Sequence, residues 1–229
     1  MEFLASAAFW IGLFKIVWIN IILSGDNAVV IALAARSLPP RQQKKAIVFG
    51  SGAAVVLRVL LTVAAAWLLA LPFLQIAGGC LLLWIGCQLL SEEEDKGDES
   101  SKNTGSMMAA VRTILIADLV MSLDNVIAVA AAAEGDMLLL ILGLGISIPL
   151  VVFGSTLMIG LMARFSVIVT LGAALIGWVG GETIVSDALL HGLTQNAPWL
   201  HYTAAAAGAI AVIAAGQWMQ SRNTRRPQN

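Results

Sequence analysis

Asp26, Asp118, Asp124 and Glu182 each stand inside a long run of apolar residues, and Arg58 stands near the centre of another. A charged group within a membrane span costs at least about 3 kcal/mol on insertion scales, so each needs a partner or a purpose. Four acids face one central cation. Ion pairing absorbs Arg58 and one aspartate; the remaining carboxylates must be protonated or must receive a bound cation. Spacing adds to this. Asn20, Ser24 and Asn27 fall at i, i+4 and i+7, as do Asp118, Ser122 and Asn125, so each set forms one polar stripe on a helix. Asp26 and Asp124 point to an adjacent side. In the first copy Ser24-Gly25 is a place where the helix can unwind, swinging Asp26 toward the stripe and freeing carbonyl oxygens; Leu123 replaces that glycine in the second copy. Carboxylates, amides and hydroxyls together make an oxygen-rich cage suited to a hard octahedral ion such as Mn2+, Mg2+ or Ca2+.

The elements that must position these groups are membrane helices. Of 229 residues, 59% are hydrophobic and 12% charged, with a mean hydropathy of +0.88, far from the make-up of soluble domains. Several apolar runs reach the roughly 20 residues that cross about 30 Å of hydrocarbon. They predict about seven spans, near residues 10–35, 46–71, 73–90, 109–133, 137–160, 165–186 and 201–219. The start lacks the positive n-region of a signal peptide and reads as a retained helix. With the amino terminus outside and the carboxyl terminus inside, every Lys and Arg outside the spans falls on the cytoplasmic face; Lys15 and Arg58 lie within spans. Lys15 reads as a snorkelling residue of the first span.

The chain also reads as one plan written twice. NIILSGDNAVVIA (20–32) resembles DLVMSLDNVIAVA (118–130), matching Ser24, Asp26 and Asn27 with Ser122, Asp124 and Asn125. Gly50 and Gly52 match Gly143 and Gly145, and Trp84, Gly86 and Gln88 match Trp178, Gly180 and Glu182. Repeats of three helices must enter the membrane from opposite sides, the inverted arrangement recurrent in secondary transporters, whose substrate site lies near the midplane. The expected organisation is 1–90 as the first three-helix repeat and 91–108 as an acidic cytoplasmic linker. Residues 109–186 form the second, inverted repeat, and 187–229 an outer loop, a seventh helix and a basic cytoplasmic tail.

Other features carry less chemistry. Cys80 and Cys87 lie seven residues apart on one helix, about 10 Å along its axis, too far for a disulfide. His191 and His201 flank the outer loop, away from the acid cluster. Asp187 reads as a helix-end cap or solvated charge. No nucleophile with an adjacent His base and no H-E-x-x-H is present, and the seventh span lacks a lysine for a retinal Schiff base, so the chain does not read as an enzyme or a retinal receptor. A net charge of −1 gives no footprint for nucleic acid.

The motifs SGDNAVVIA, DLVMSLDN and GWVGGETI resemble the TerC family of integral membrane proteins, specifically its small YjbE-like branch within the wider LysE-type grouping. The resemblance covers most of residues 10–186. Although the family name derives from tellurium resistance, the resemblance implies export of a divalent metal, chiefly Mn2+, across the bacterial inner membrane. It makes Asp26, Asn27, Asp124 and Asn125 the metal-contacting core with Asp118 beside them; Asn20 stands where many members carry an acid. Asn20, Ser24, Ser122, Arg58 and Glu182 would support the pathway. The metal is cargo, with no resident cofactor, and the expected partners are the divalent ion, the bilayer, protons as a candidate counter-ion and a second copy of the chain. The alternatives are an exporter of amino acids or other small polar solutes, which the excess of acids over cations disfavours, and a structural membrane subunit.

Overall fold

In bilayer, each backbone N–H and C=O needs a partner within the chain, and a helix supplies it locally. A computed structural model describes residues 7–23, 25–68, 71, 73–91, 106–133, 136–195 and 197–223. Within them the apolar runs become helices: α1 (Ala7–Leu23), α2 (Gly25–Ala35), α3 (Pro40–Leu68), α4 (Leu74–Ser91), α5 (Met107–Ala133), α6 (Met137–Arg164), α7 (Val167–Val185), the single turn α8 (His191–Thr194) and α9 (Trp199–Asn223). Ser24, which divides α1 from α2, lies outside the described residues, as do the side chains of Asn20 and Asp124 and all of residues 92–105.

Among the described residues five helices are long and apolar enough to cross a membrane: α3, α4, α6, α7 and α9. The apolar helices α1 and α2 together fill the stretch read as the first span, and α5, at 27 residues, has ample length but carries Arg112, Asp118 and Asp124. The protein is therefore an all-α membrane protein with about seven spans. Helix α3 starts at Pro40, earlier than the apolar run beginning near residue 46. A proline suits the first helical position, where no intrahelical bond is asked of its nitrogen, and the added turn holds Arg41, Gln42, Gln43, Lys44 and Lys45, a polar collar rather than span. Gln43 turns back to donate to the Ala35 carbonyl at the end of α2, satisfying an acceptor that the finished helix leaves open. At the start of α6, Asp136 Oδ1 accepts from the N–H groups of Leu138 and Leu139.

Matching glycines of the two halves meet the opposite half. Gly50 of α3 lies against Ile114 of α5, where an added methyl would come within 2.9 Å of Ile114 Cδ1; Gly143 of α6 lies against Ile16 of α1. Gly78 of α4 faces Val120 of α5, and Gly172 of α7 faces Val29 and Leu33 of α2. Between α4, α7 and α9 the contact is closer still. A methyl on Gly79 would meet the Gly180 carbonyl, and methyls on Gly181 and Gly208 would meet the main chains of Ala204 and Gly177. Small residues let backbones touch, which is how helices attract one another when lipid removes the hydrophobic drive. Large side chains such as Trp10, Phe14, Phe153 and Tyr202 point outward, as expected of a surface solvated by acyl chains.

Candidate functional site

Arg58 is 5% exposed, deep between α3 and α5. Its Nη2 donates to Asp118 Oδ1 at 2.5 Å and its Nε to Ser122 Oγ at 3.0 Å, while the Ser122 hydroxyl donates to Asp118 Oδ2 at 3.3 Å. Asp118 and Ser122 stand one helical turn apart, so the periodicity of α5 alone brings them onto the same guanidinium. This closed triangle is the ion pair of the described residues with both partners buried. It is the pairing expected of Arg58 with one site carboxylate.

A cavity of about 20 Å3 adjoins it, lined by Asn27 of α2, Ser51, Ala54 and Arg58 of α3, Asp118 of α5 and Ser147 of α6, with Ile31, Val55, Leu144, Ile148 and Val151 as apolar walls. That volume admits one water-sized body. Asn27, Ser51 and Ser147 are all buried. The Ser147 hydroxyl donates to the Gly143 carbonyl at 3.0 Å. Ser51 Oγ makes no hydrogen bond within the described residues.

The other expected site residues are distributed around this centre. Asp26 is partly buried in the first turn of α2, where its Oδ1 accepts the N–H of the next residue, Asn27, at 2.7 Å; it does not line the cavity. Asn125 is partly buried on α5. Glu182 is exposed on α7 and is not brought to the cluster. The side chains of Asn20 and Asp124, and all of Ser24, fall outside the described residues, so the structure gives no geometry for them. Among the described residues no three His, Cys, Asp or Glu side chains converge. The described part of the site is one carboxylate, amide and hydroxyl oxygens, and an internal guanidinium. Sequence reasoning missed Ser51 and Ser147; the available signal was their place within the glycine-rich runs FGSGA and GLGIS, which mark close helix approach.

A second cavity, about 70 Å3, opens between α2, α4 and α5 and is lined by Ser37, Gln88, Ser106 and Thr113 among apolar residues. Gln88, the repeat partner of Glu182, lies there. Elsewhere, Asp187 proves to be a cap: fully buried, it accepts from the main-chain N–H groups of Phe73, Gln75 and Ile76 at the start of α4 and of Leu189 beside it. Burial pushes its carboxyl up, but those four donors outweigh burial and hold it below the usual aspartate value. Phe73 adopts a positive φ of 66° there. Cys80 and Cys87 are free thiols.

Comparison with known proteins agrees with the motifs. The family model described as "Integral membrane protein TerC family" matches residues 5–224. The chain is 48% identical to the Uncharacterized membrane protein YjbE of Bacillus subtilis, over 77% of this chain and 80% of that protein. It is 28% identical to the UPF0053 protein YegH of Escherichia coli, over 68% of this chain and 33% of that protein. With the UPF0053 inner membrane protein YoaE of the same species it shares 33% identity over 56% of this chain and 28% of that protein. No solved structure matches the chain.

Proposed function

Because the chain belongs to the TerC family of integral membrane proteins, we propose that it exports a hard divalent cation, Mn2+ foremost, from the bacterial cytoplasm through the polar centre around Asp118. The observation that carries this reading is a carboxylate buried between helices, held by an internal cation beside a cavity of about 20 Å3 whose polar wall is formed by Asn27, Ser51, Arg58, Asp118 and Ser147. Asn27, Ser51, Asp118 and Ser147 bring oxygen atoms to its wall, and Asp26, Asp124 and Asn125 share the helices α2 and α5 with Asn27 and Asp118. Oxygen-only donors suit Mn2+, Mg2+ and Ca2+ rather than soft metals.

In this reading Arg58 is the resting counter-ion. An entering divalent ion competes for Asp118, and the guanidinium gives way because two charges at one carboxylate exceed one. When the ion leaves, Arg58 closes on Asp118 again, so the empty carrier changes face without a bare charge in lipid. Protons are the proposed counter-ion, and the amino terminus is placed outside and the carboxyl terminus inside the inner membrane. The reading assigns transport and no enzymatic activity.

The test is ion-by-ion efflux in vesicles holding the purified protein. Wild type should move Mn2+, and Asp26→Asn, Asp118→Asn and Asp124→Asn should each abolish it while the protein remains in the membrane, since charge count governs affinity for hard divalent ions. Normal Mn2+ movement by all three variants would defeat the proposal.

A further inference from the structure

Ser51 stands between Gly50 and Gly52 on the face of α3 that looks into the cavity. Its side chain is 2% exposed and its hydroxyl is unmatched by any hydrogen bond among the described residues. A buried hydroxyl without a partner is uncommon in folded proteins, and where one persists a water, an ion or a task accounts for it. The cavity wall beside it holds Asn27, Arg58, Asp118 and Ser147. A water-sized space flanked by several polar atoms is a binding site in size and in chemistry.

The donors say which ligand fits. Ser147 spends its hydroxyl hydrogen on the Gly143 carbonyl, so it offers the cavity lone pairs. Asp118 offers a carboxylate once the entering ion displaces Arg58, which lines the same wall, and Ser51 Oγ has both lone pairs uncommitted among the described residues. Among the described residues no sulfur or imidazole lines the space, and Ile31, Val55, Leu144 and Ile148 form its apolar walls. We propose that this cavity seats the transported cation with its water shell stripped on the α3 side, and that Ser51 Oγ is a neutral oxygen ligand discriminating hard cations from soft ones. The inference rests on the divalent-export reading above and adds to it the residue that sets ion preference.

Replacing oxygen by sulfur at one ligand shifts preference toward soft metals, and Ser51→Cys changes a single atom. Purified wild type, Ser51→Cys and Ser51→Ala are compared in vesicles for Mn2+ and Cd2+ transport, the ratio of the two being read within each preparation so that differences in folded protein cancel. Wild type keeps Cys80 and Cys87 and is the reference for thiols elsewhere. Ser51→Cys should lower the Mn2+ to Cd2+ ratio by about tenfold, and Ser51→Ala should raise the Mn2+ concentration for half-maximal transport by about tenfold, the scale of a lost contribution to a metal site. Ser147→Cys, on the facing helix, is the second arm and should move the ratio in the same direction. Equal slowing of both ions at an unchanged ratio in the Ser51 and Ser147 variants would make these hydroxyls packing residues and overturn the inference while leaving transport intact. Wild-type vesicles that move neither ion would overturn the export reading, and this inference with it.

Discussion

Removing one member of the Arg58–Asp118 pair should cost far more than removing both. Arg58 and Asp118 are each 5% exposed, joined at 2.5 Å, with Ser122 bridging them. Breaking a buried pair from one side costs about 3–5 kcal/mol, because the surviving charge keeps its desolvation and loses its partner. Asp118→Leu should sit at the upper end, since a guanidinium cannot shed its charge and Ser122 offers it only a neutral oxygen. Arg58→Leu leaves a carboxylate that still accepts from Ser122 and can be protonated, so it should sit at the lower end. The double variant Arg58→Leu, Asp118→Leu puts two apolar residues into an apolar surround and should lie within about 1–2 kcal/mol of wild type, far from the sum of the two singles and so a coupling of about 6 kcal/mol. Unfolding of the purified protein in detergent by denaturant, followed by tryptophan fluorescence, supplies the cycle. Single variants each costing under about 1 kcal/mol, with additive effects in the double, would fall within the range of independent sites. The resting counter-ion role of Arg58 would go with them.

Three further outcomes follow from the packing and the ends of the helices. Asp187→Asn should destabilise the protein by about 1–2 kcal/mol near neutral pH, the scale of a lost helix cap. The folded carboxyl is held below its usual value, so the wild-type advantage should be full above about pH 4, the unfolded value, and vanish as pH falls through the folded one; an advantage persisting to the lowest pH at which wild type stays folded would contradict the cap. Gly181→Val and Gly208→Val should each lose more than about 3 kcal/mol, the upper end for overpacking, because the obstacle is main chain. Gly52→Ala and Gly145→Ala, which meet nothing within 4 Å, should be tolerated, and equal stability across all four in heat-denaturation curves would refute the backbone contact. Thiol labels placed at Ser106 and Ser221 should react from the cytoplasm and one at His191 only from outside; Ser106 and Ser221 on opposite faces would end the inverted-repeat topology.

What could be read from the sequence was set by cost. Arg58, Asp118 and Ser122 were legible because each is expensive or regularly spaced in an apolar helix, and their pairing required only one turn of α5. Asn27 lines the cavity, while the other two members of its stripe, the Asn20 side chain and Ser24, lie outside the described residues. Glu182 did not join it: the period of a helix gives relative directions along its own surface, while the rotation that decides which neighbour a face meets comes from packing. Ser51 and Ser147 were invisible for the opposite reason. A serine in a membrane helix is cheap, since its hydroxyl ordinarily returns to a carbonyl one turn back, as Ser147, Ser155, Thr156 and Thr183 do. Only the structure reveals that Ser51 lacks that bond. Asp187 was legible as a cap but not as the cap of α4, because its donors lie more than a hundred residues away.

The cavity and the glycine contacts lie in different parts of the molecule, and this bears on how the site would change faces. Helices α4, α7 and α9 meet main chain to main chain at Gly79, Gly177, Gly181 and Gly208, and Asp187 ties the end of α7 to the start of α4. Where main chain meets main chain there are no rotamers through which to repack, so these three helices would move as one piece. Around the cavity the contacts are Ile31, Val55, Leu144, Ile148 and Val151, side chains that slide at low cost, together with one ion pair. In the proposed export an entering cation would act on that ion pair, which lies outside the glycine-packed group. In the proposed carrier, the rearrangement that exposes Asp118 to one side and then the other would therefore belong to α2, α3, α5 and α6, moving against an α4–α7–α9 frame at Gly78 and Gly172, where Val120 and Leu33 provide side chains that can give.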